Sequence, residues 1–191
     1  IETSGGIARL LPIARDTAQE LKTVLNLCDN VDLIVTLGGA SVGDYDLVHS
    51  TAENMGMETS FYKVAMRPGK PLMAGRISGI PILGLPGNPV SALVCGIVFL
   101  KPAINAMLGK GNAAFITQNA ILGRDLPENG PREHYMRATL KSDNGTQTVE
   151  PFDKQDSSLL TVLSKANALL VRPANDKAKI KGCNVKIIPL K

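Results

Sequence analysis

One loop constrains this chain more than any other stretch. The apolar, β-branched run Val31-Asp32-Leu33-Ile34-Val35-Thr36-Leu37 breaks into Gly38-Gly39-Ala40-Ser41-Val42-Gly43-Asp44-Tyr45-Asp46. A short apolar run closed by glycines reads as a buried parallel strand, and residues 47–55 beyond it read as a helix stopped by Gly56. Glycine permits positive φ and close backbone approach, while unpaired N–H groups before a helix attract anions, so the loop suits a phosphate-bearing ligand. Asp44 and Asp46 would repel that anion. Their position therefore calls for a divalent cation between carboxylate and phosphate, and hard oxygen ligands suit magnesium. A tight turn with solvated aspartates accounts for the same residues without a ligand.

Two further loops follow strands. Residues 59–66 read as a strand that runs into Met66-Arg67-Pro68-Gly69-Lys70-Pro71. There two prolines and a glycine fix a turn and hold Arg67 and Lys70 on a stiff segment. Such a pair can bind phosphate or another oxyanion, Arg through its planar fork and Lys as a point charge, or it can simply be solvated. Residues 71–77 and 80–85 form a strand pair around Ser78-Gly79, a hairpin turn. The second of these strands ends in Leu85-Pro86-Gly87-Asn88-Pro89-Val90-Ser91, where Asn88 is an N-cap, Pro89 is preorganised for helix entry, and Ser91 adds a hydroxyl to a third anion-ready helix start. The helix runs from Pro89 to about Leu108 and is kinked or divided at Pro102.

Before the first loop, residues 7–13 read as a strand. Asp16 is expected as the N-cap of a helix with Gln19 completing a capping box. Alternating strands and helices with short links predict an α/β fold, a doubly wound, mostly parallel sheet, whose ligands lie outside the carboxyl ends of its strands. From residue 114 the pattern changes to short strands at 115–122, 133–140, 146–152, 168–172 and 183–189, with Asp143-Asn144-Gly145 a hairpin turn and one short helix at 157–166. The expected division is an α/β domain over 1–113 and a small, mostly antiparallel β domain over 114–191.

Composition removes several function classes. With 191 residues and 44% apolar content the chain supports a real core. Its 21 Lys and Arg against 17 Asp and Glu are scattered and few aromatics accompany them, which argues against nucleic-acid binding. Cys28, Cys95 and Cys183 are far apart and lack neighbouring ligands, so neither a disulfide framework nor a zinc site is indicated. The most apolar segment, residues 89–100, is too short to span a bilayer, and a reducing cytoplasm fits best. Arg132, His134, Tyr135 and Arg137 cluster along one strand, where alternation would send Arg132 and His134 to one face and Tyr135 and Arg137 to the other. His49 and His134 read as structural or surface residues, and no Ser-His-Asp or Cys-His arrangement is present.

Taken together, Gly38 to Asp46, Lys63-Val64-Ala65-Met66-Arg67-Pro68-Gly69-Lys70-Pro71 and Leu85 to Ser91 resemble, in order and spacing, the molybdopterin molybdenumtransferase family, whose animal member is gephyrin. Arg137-Ala138 and Ala166-Asn167-Ala168-Leu169 resemble that family's C-terminal β domain, so the likeness covers essentially the whole chain. It implies insertion of molybdate into adenylylated molybdopterin with release of AMP, assisted by Mg²⁺. By the same likeness Asp16 and Asp46 are functional aspartates, Asp46 beside the metal, and Pro86 and Pro89 are active-site prolines. Lys70 and Arg67 contact molybdate or ligand phosphate, and the family often has Lys where Arg67 stands. Gly38, Gly39, Ser41, Gly43 and Asp44, with Gly69, Gly87, Asn88 and Ser91, would line the substrate.

The family carries further N-terminal domains, including an acidic site residue and the segments through which it forms a homodimer. The chain is thus expected to be a C-terminal fragment with little activity alone. A non-catalytic pterin-binding or scaffold module of the gephyrin type is the alternative. A dinucleotide-binding domain is disfavoured, because the loop lacks the GxGxxG order.

Overall fold

A computed structural model describes residues 1–39, 46–111, 116–157 and 159–190. The chain divides into two compact units, one of Ile1–Val64 with Gly69–Ala113 and the other of Ala65–Pro68 with Ala114–Lys191. Residues 65–68, expected within the α/β domain, thus belong to the second unit.

In the first unit a four-stranded sheet runs in the order β1 (Ile34–Leu37), β5 (Ile80–Leu85), β4 (Met73–Ile77), β2 (Glu58–Tyr62). The sheet is mixed, not mostly parallel. Only β1 and β5 pair in parallel, Ile34 opposite Ile82 through Leu37 opposite Leu85. The tight turn at Ser78-Gly79 folds β5 back on β4, with both turn residues at positive φ, and such a turn leaves antiparallel pairing as the one possibility. The expected strand over 59–66 is two elements: β2 ends at Tyr62, and β3 (Met66–Arg67) joins the second unit. Residues 7–13 form no strand: among the described residues no strand pairs with them, Arg9 bonds by its side chain to Leu27 and Asp29, and Ile7, Leu10 and Ile13 are almost fully exposed.

Helix α1 (Ala18–Leu25) is capped by Thr17, whose hydroxyl accepts from the Glu20 amide, so the box lies one residue later than Asp16 and Gln19 would put it. Thr17 has the extended backbone a cap needs. Its Leu25 joins Ile34 of β1, Val48 and Ala52 of α2 (Leu47–Asn54), Met57, Met73, Ile77 and Ile82 in one buried cluster. Full burial of a side chain of this size is worth about 1.5–3 kcal/mol, and this cluster clamps α1 and α2 to the sheet.

The helix after β5 is continuous over Pro89–Met107, 19 residues long, but comprises α3 (Pro89–Cys95), a π turn (Gly96–Leu100) and α4 (Lys101–Met107). Pro102 lacks an N–H and its ring would crowd the carbonyl four residues back; the Lys101 amide instead reaches Gly96, five residues back. By length and composition this helix could cross a membrane. Its buried Val90, Val94, Cys95, Val98 and Ile104 mark it as the helix that packs the sheet.

The second unit is a closed barrel. In the order β3-β7-β8-β6-β10-β9, β7 (Glu133–Asp143) pairs with β9 (Ala168–Arg172) as well as with β8 (Thr146–Pro151), so the five strands from β7 to β9 close on themselves and β3 lies beside the start of β7. β6 (Gln118–Leu122) and β10 (Asn184–Pro189) complete the wall. Asn144-Gly145, both at positive φ, make the expected hairpin between β7 and β8. Leu122, Val149, Leu170 and Ile187 fill the interior and are fully buried. The helix expected at 157–166 is shorter, α5 (Leu160–Lys165).

Candidate functional site

β2 and β5 are each antiparallel to β4, and β5 is parallel to β1, so β1, β2 and β5 share one direction and their three following loops leave the same rim. Neighbouring loops then touch. The Gly38 amide donates to the Leu85 carbonyl at 3.1 Å. A Cβ added to Gly87 would stand 3.2 Å from the Gly38 Cα, so the two backbones pass closely enough that a side chain there would press them apart by a few tenths of an ångström. The loop after β2 is tied in at its two ends. Tyr62 donates its hydroxyl to Asp46 Oδ2 at 2.9 Å, and the Cys95 thiol of α3 points to the Gly69 carbonyl at 3.7 Å. Leu37, Gly38, Pro86, Gly87, Pro89 and Leu93 line part of a cleft of about 690 Å³.

Several expected site residues have defined places here. Asp46 is 7% exposed and caps α2, its Oδ1 accepting the His49 amide at 2.9 Å while Oδ2 accepts from Tyr62. Burial first, and then the hydrogen bond and charge of Asp46, push the Tyr62 hydroxyl up to about 12, so it stays a donor. Asn88 caps α3 by accepting from the Val90 and Ser91 amides, both at 3.1 Å. With those amides taken and Pro89 lacking one, the α3 start is not the open anion site its sequence suggests. Gly38 likewise spends its N–H on Leu85, leaving the cradle to the residues after it. Gly39 has φ +70° and faces Val48 so closely that a Cβ would lie 2.2 Å from Cγ2. Pro86, Gly69 and Ser91 are buried, and Lys70 is exposed. Asp16 is exposed ahead of α1, outside the cleft lining. Ser41, Gly43 and Asp44 lie outside the described residues.

As a metal centre the described residues offer little. Among them no three His, Cys, Asp or Glu side chains stand close enough to hold an ion. Asp46 keeps spare lone pairs on both oxygens, so it could offer a hard cation one carboxylate but not a protein cage.

Arg67 lies elsewhere. β3 pairs in parallel with β7, Arg67 opposite His134, inside the second unit. Both His134, 7% exposed, and Arg137, fully buried, turn away from water there, so β7 is covered on both faces at this point. Gln155 takes the place of a strand neighbour beside β7: its Oε1 accepts from the Arg137 amide at 3.0 Å, and its Nε2 donates to the Arg137 carbonyl at 2.9 Å. The Arg137 guanidinium donates from Nη2 to the Asp156 carbonyl, yet its Nε and Nη1, and Nε2 of His134, are buried without a partner. Burial, then the charges of Arg67, Arg137, Arg172 and Arg132, bring His134 down to about 4, so it is neutral at pH 7. Arg137 is also lowered, by burial and then by Arg67. Arg172 is matched by Asp176 at 2.6 Å. Two Arg137 N–H groups buried without a hydrogen-bond partner among the described residues, beside Arg67, would suit an oxyanion, with the Asp156 carboxylate supplying part of the opposing charge. The sequence reading noted this cluster without giving it a role. Its signal was the two arginines and one histidine within six residues.

Two families match the chain. One, described as a probable molybdopterin binding domain, covers residues 1–106, and the other, the MoeA C-terminal region (domain IV), covers residues 119–190. The molybdopterin molybdenumtransferase of Bacillus subtilis is 30% identical over 176 residues, covering 92% of this chain and 41% of that protein. Its counterpart in Nostoc sp. is 31% identical over 198 residues, covering 100% of this chain and 45% of the relative. The crystal structure of the molybdopterin biosynthesis MoeA protein of Pyrococcus horikoshii superposes with a TM-score of 0.75 at 28% identity, over 93% of this chain and 42% of that one. The chain thus spans about two fifths of the length of these relatives. With its first 106 residues in a molybdopterin-binding fold and residues 119–190 in the associated C-terminal domain, the chain belongs to the molybdopterin molybdenumtransferase (MoeA) family.

Proposed function

We propose that this chain is the catalytic core of a molybdopterin molybdenumtransferase, which inserts molybdate into adenylylated molybdopterin and releases AMP. The observation that carries this reading is the close approach of the loops after β1 and β5, Gly38 beside Gly87, together with an Asp46 carboxylate held by Tyr62 and by the start of α2. The named relatives supply the substrate class.

In this reading the Gly39 end of the first loop takes the pterin phosphate, Pro86, Gly87 and Pro89 form a rigid wall, and Lys70 supplies charge to phosphate or molybdate. A magnesium ion carried by the substrate would neutralise the phosphates beside Asp46. Arg67, Arg137 and neutral His134 form a separate cationic cluster within the second unit that would suit an oxyanion. No side chain here serves as a covalent nucleophile; the contribution is positioning and preorganised charge. The homodimer of the family, a role for Asp16, and a cytoplasmic setting in which Cys28, Cys95 and Cys183 remain thiols belong to the same proposal.

Molybdate-dependent AMP release by the full-length protein tests the reading. Asp46→Ala is expected to abolish release while substrate still binds. Unchanged release would favour the non-catalytic scaffold alternative. The 191 residues alone are expected to be nearly inactive, and equal rates for the two forms would count against the division of labour proposed here.

A further inference from the structure

Tyr62 is the last residue of β2 and Asp46 is the residue just ahead of α2, so one hydrogen bond joins the loop after β1 to the loop after β2. The phenol is itself fixed on two sides. Its ring stacks on His49 with centroids 4.3 Å apart and planes 22° from parallel, and the Lys63 ammonium lies 4.6 Å from the ring centroid. His49 is fixed in turn, with Nε2 at 3.3 Å from Thr59 Oγ1 and 3.4 Å from Glu53 Oε1. The Asp46 carboxylate therefore has one oxygen fastened to the backbone of α2 and the other to a clamped phenol. A carboxylate held at both oxygens keeps one orientation, and with it the directions of its remaining lone pairs.

We infer that Tyr62 is a positioning residue for the reaction: it aims Asp46 and, through the same bond, ties the aim of that carboxylate to the loop that ends in Lys70. The inference rests on the reading that Asp46 serves the transfer reaction. It extends that reading to a residue that need not touch substrate. Tyr62→Phe removes the donor and keeps the ring. The α2 cap through Oδ1 remains, so the fold should persist.

The test is a double-mutant cycle in the full-length protein on molybdate-dependent AMP release, with Tyr62→Phe, Asp46→Asn and the pair. A hydrogen bond to a charged group is worth about 1.5–3 kcal/mol, so Tyr62→Phe is expected to lower kcat roughly tenfold or more, with KM for adenylylated molybdopterin within about twofold. The thermal midpoint is expected to move by less than about 3 °C. The double variant is expected to be no slower than Asp46→Asn alone, because Tyr62 acts only through that carboxylate. Additive losses, or an unchanged kcat in Tyr62→Phe beside a slow Asp46→Asn, would overturn the positioning role and leave the reading of Asp46 intact. An unchanged rate in Asp46→Asn would remove both. If Tyr62→Phe falls in melting temperature in step with its rate, the residue is structural and the inference fails.

Discussion

Gly87 and Gly38 face each other across the rim of the first sheet, and a methyl group on Gly87 would come within 3.2 Å of the Gly38 Cα. Backbone cannot swing aside as a long side chain can. Gly87→Ala is therefore expected to spread the two loops by a few tenths of an ångström while leaving the buried cluster beneath them intact. Titration with adenylylated molybdopterin should show a loss of affinity of about tenfold, with the thermal midpoint shifted by only about 2–3 °C.

Gly39 predicts the reverse balance. Its φ of +70° and the 2.2 Å approach to Val48 Cγ2 place a new methyl group against a buried side chain at the start of α2. Gly39→Ala is expected to cost about 2–3 kcal/mol, from backbone strain and overpacking together, measurable by urea unfolding.

Asn88 carries the α3 cap alone through its bonds to Val90 and Ser91. Asn88→Ala is expected to lose about 1 kcal/mol and Asn88→Asp to retain most of it, since aspartate accepts the same amides. Thermal unfolding of the two variants side by side gives the comparison.

His134 makes the second unit sensitive to acid. Its value falls from an ordinary 6.5 to about 4, so the neutral form is favoured when folded, and the unfolded chain takes up the proton first. The contribution is present above about pH 6.5 and is lost as the pH falls toward 4, on the order of 3 kcal/mol over that window. His134→Gln is expected to flatten the stability profile between these limits. A bound oxyanion in the wild-type protein should do the same, since it offsets the surrounding arginines.

Asp176 contributes in the same direction at lower pH. Burial alone would raise its carboxyl, but the hydrogen bonds and charges of Arg172 and Lys179 outweigh that and hold it below the usual carboxylate value. Its stabilisation is thus present above the unfolded value near 3.8 and disappears as the pH drops through the lower folded one. Asp176→Asn is expected to lose about 2–3 kcal/mol at pH 7, because Arg172, only 2% exposed, would keep its charge with carbonyls alone as partners.

The three loops were legible in the sequence because Gly, Pro and Asn act locally: a cap, a turn or a stiff proline needs no distant partner to be recognised. The hairpins at Ser78-Gly79 and Asn144-Gly145 were visible for the same reason. What could not be read depended on long-range pairing. The apolar run at residues 7–13 looks like a strand, but propensity does not supply a neighbour. The capping box slipped by one because Asp16 and Thr17 are both good caps, and only the backbone at Thr17 decides. Alternation separates His134 from Arg137 but does not say that both faces are covered. Gln155, eighteen residues on, pairs with the Arg137 backbone, and nothing near Arg137 in the sequence announces it.

The four residues Ala65–Pro68 leave the first unit, complete a strand in the second and return. The polypeptide therefore passes from one body to the other three times, not once. A cut in the link near residue 113 would not yield two self-sufficient pieces: a peptide starting at residue 114 would lack the strand beside Glu133 and His134, and with it the guanidinium of Arg67. During synthesis that strand emerges long before β7, so the segment that will lie beside Glu133 and His134 is already in the chain before its partner strand appears.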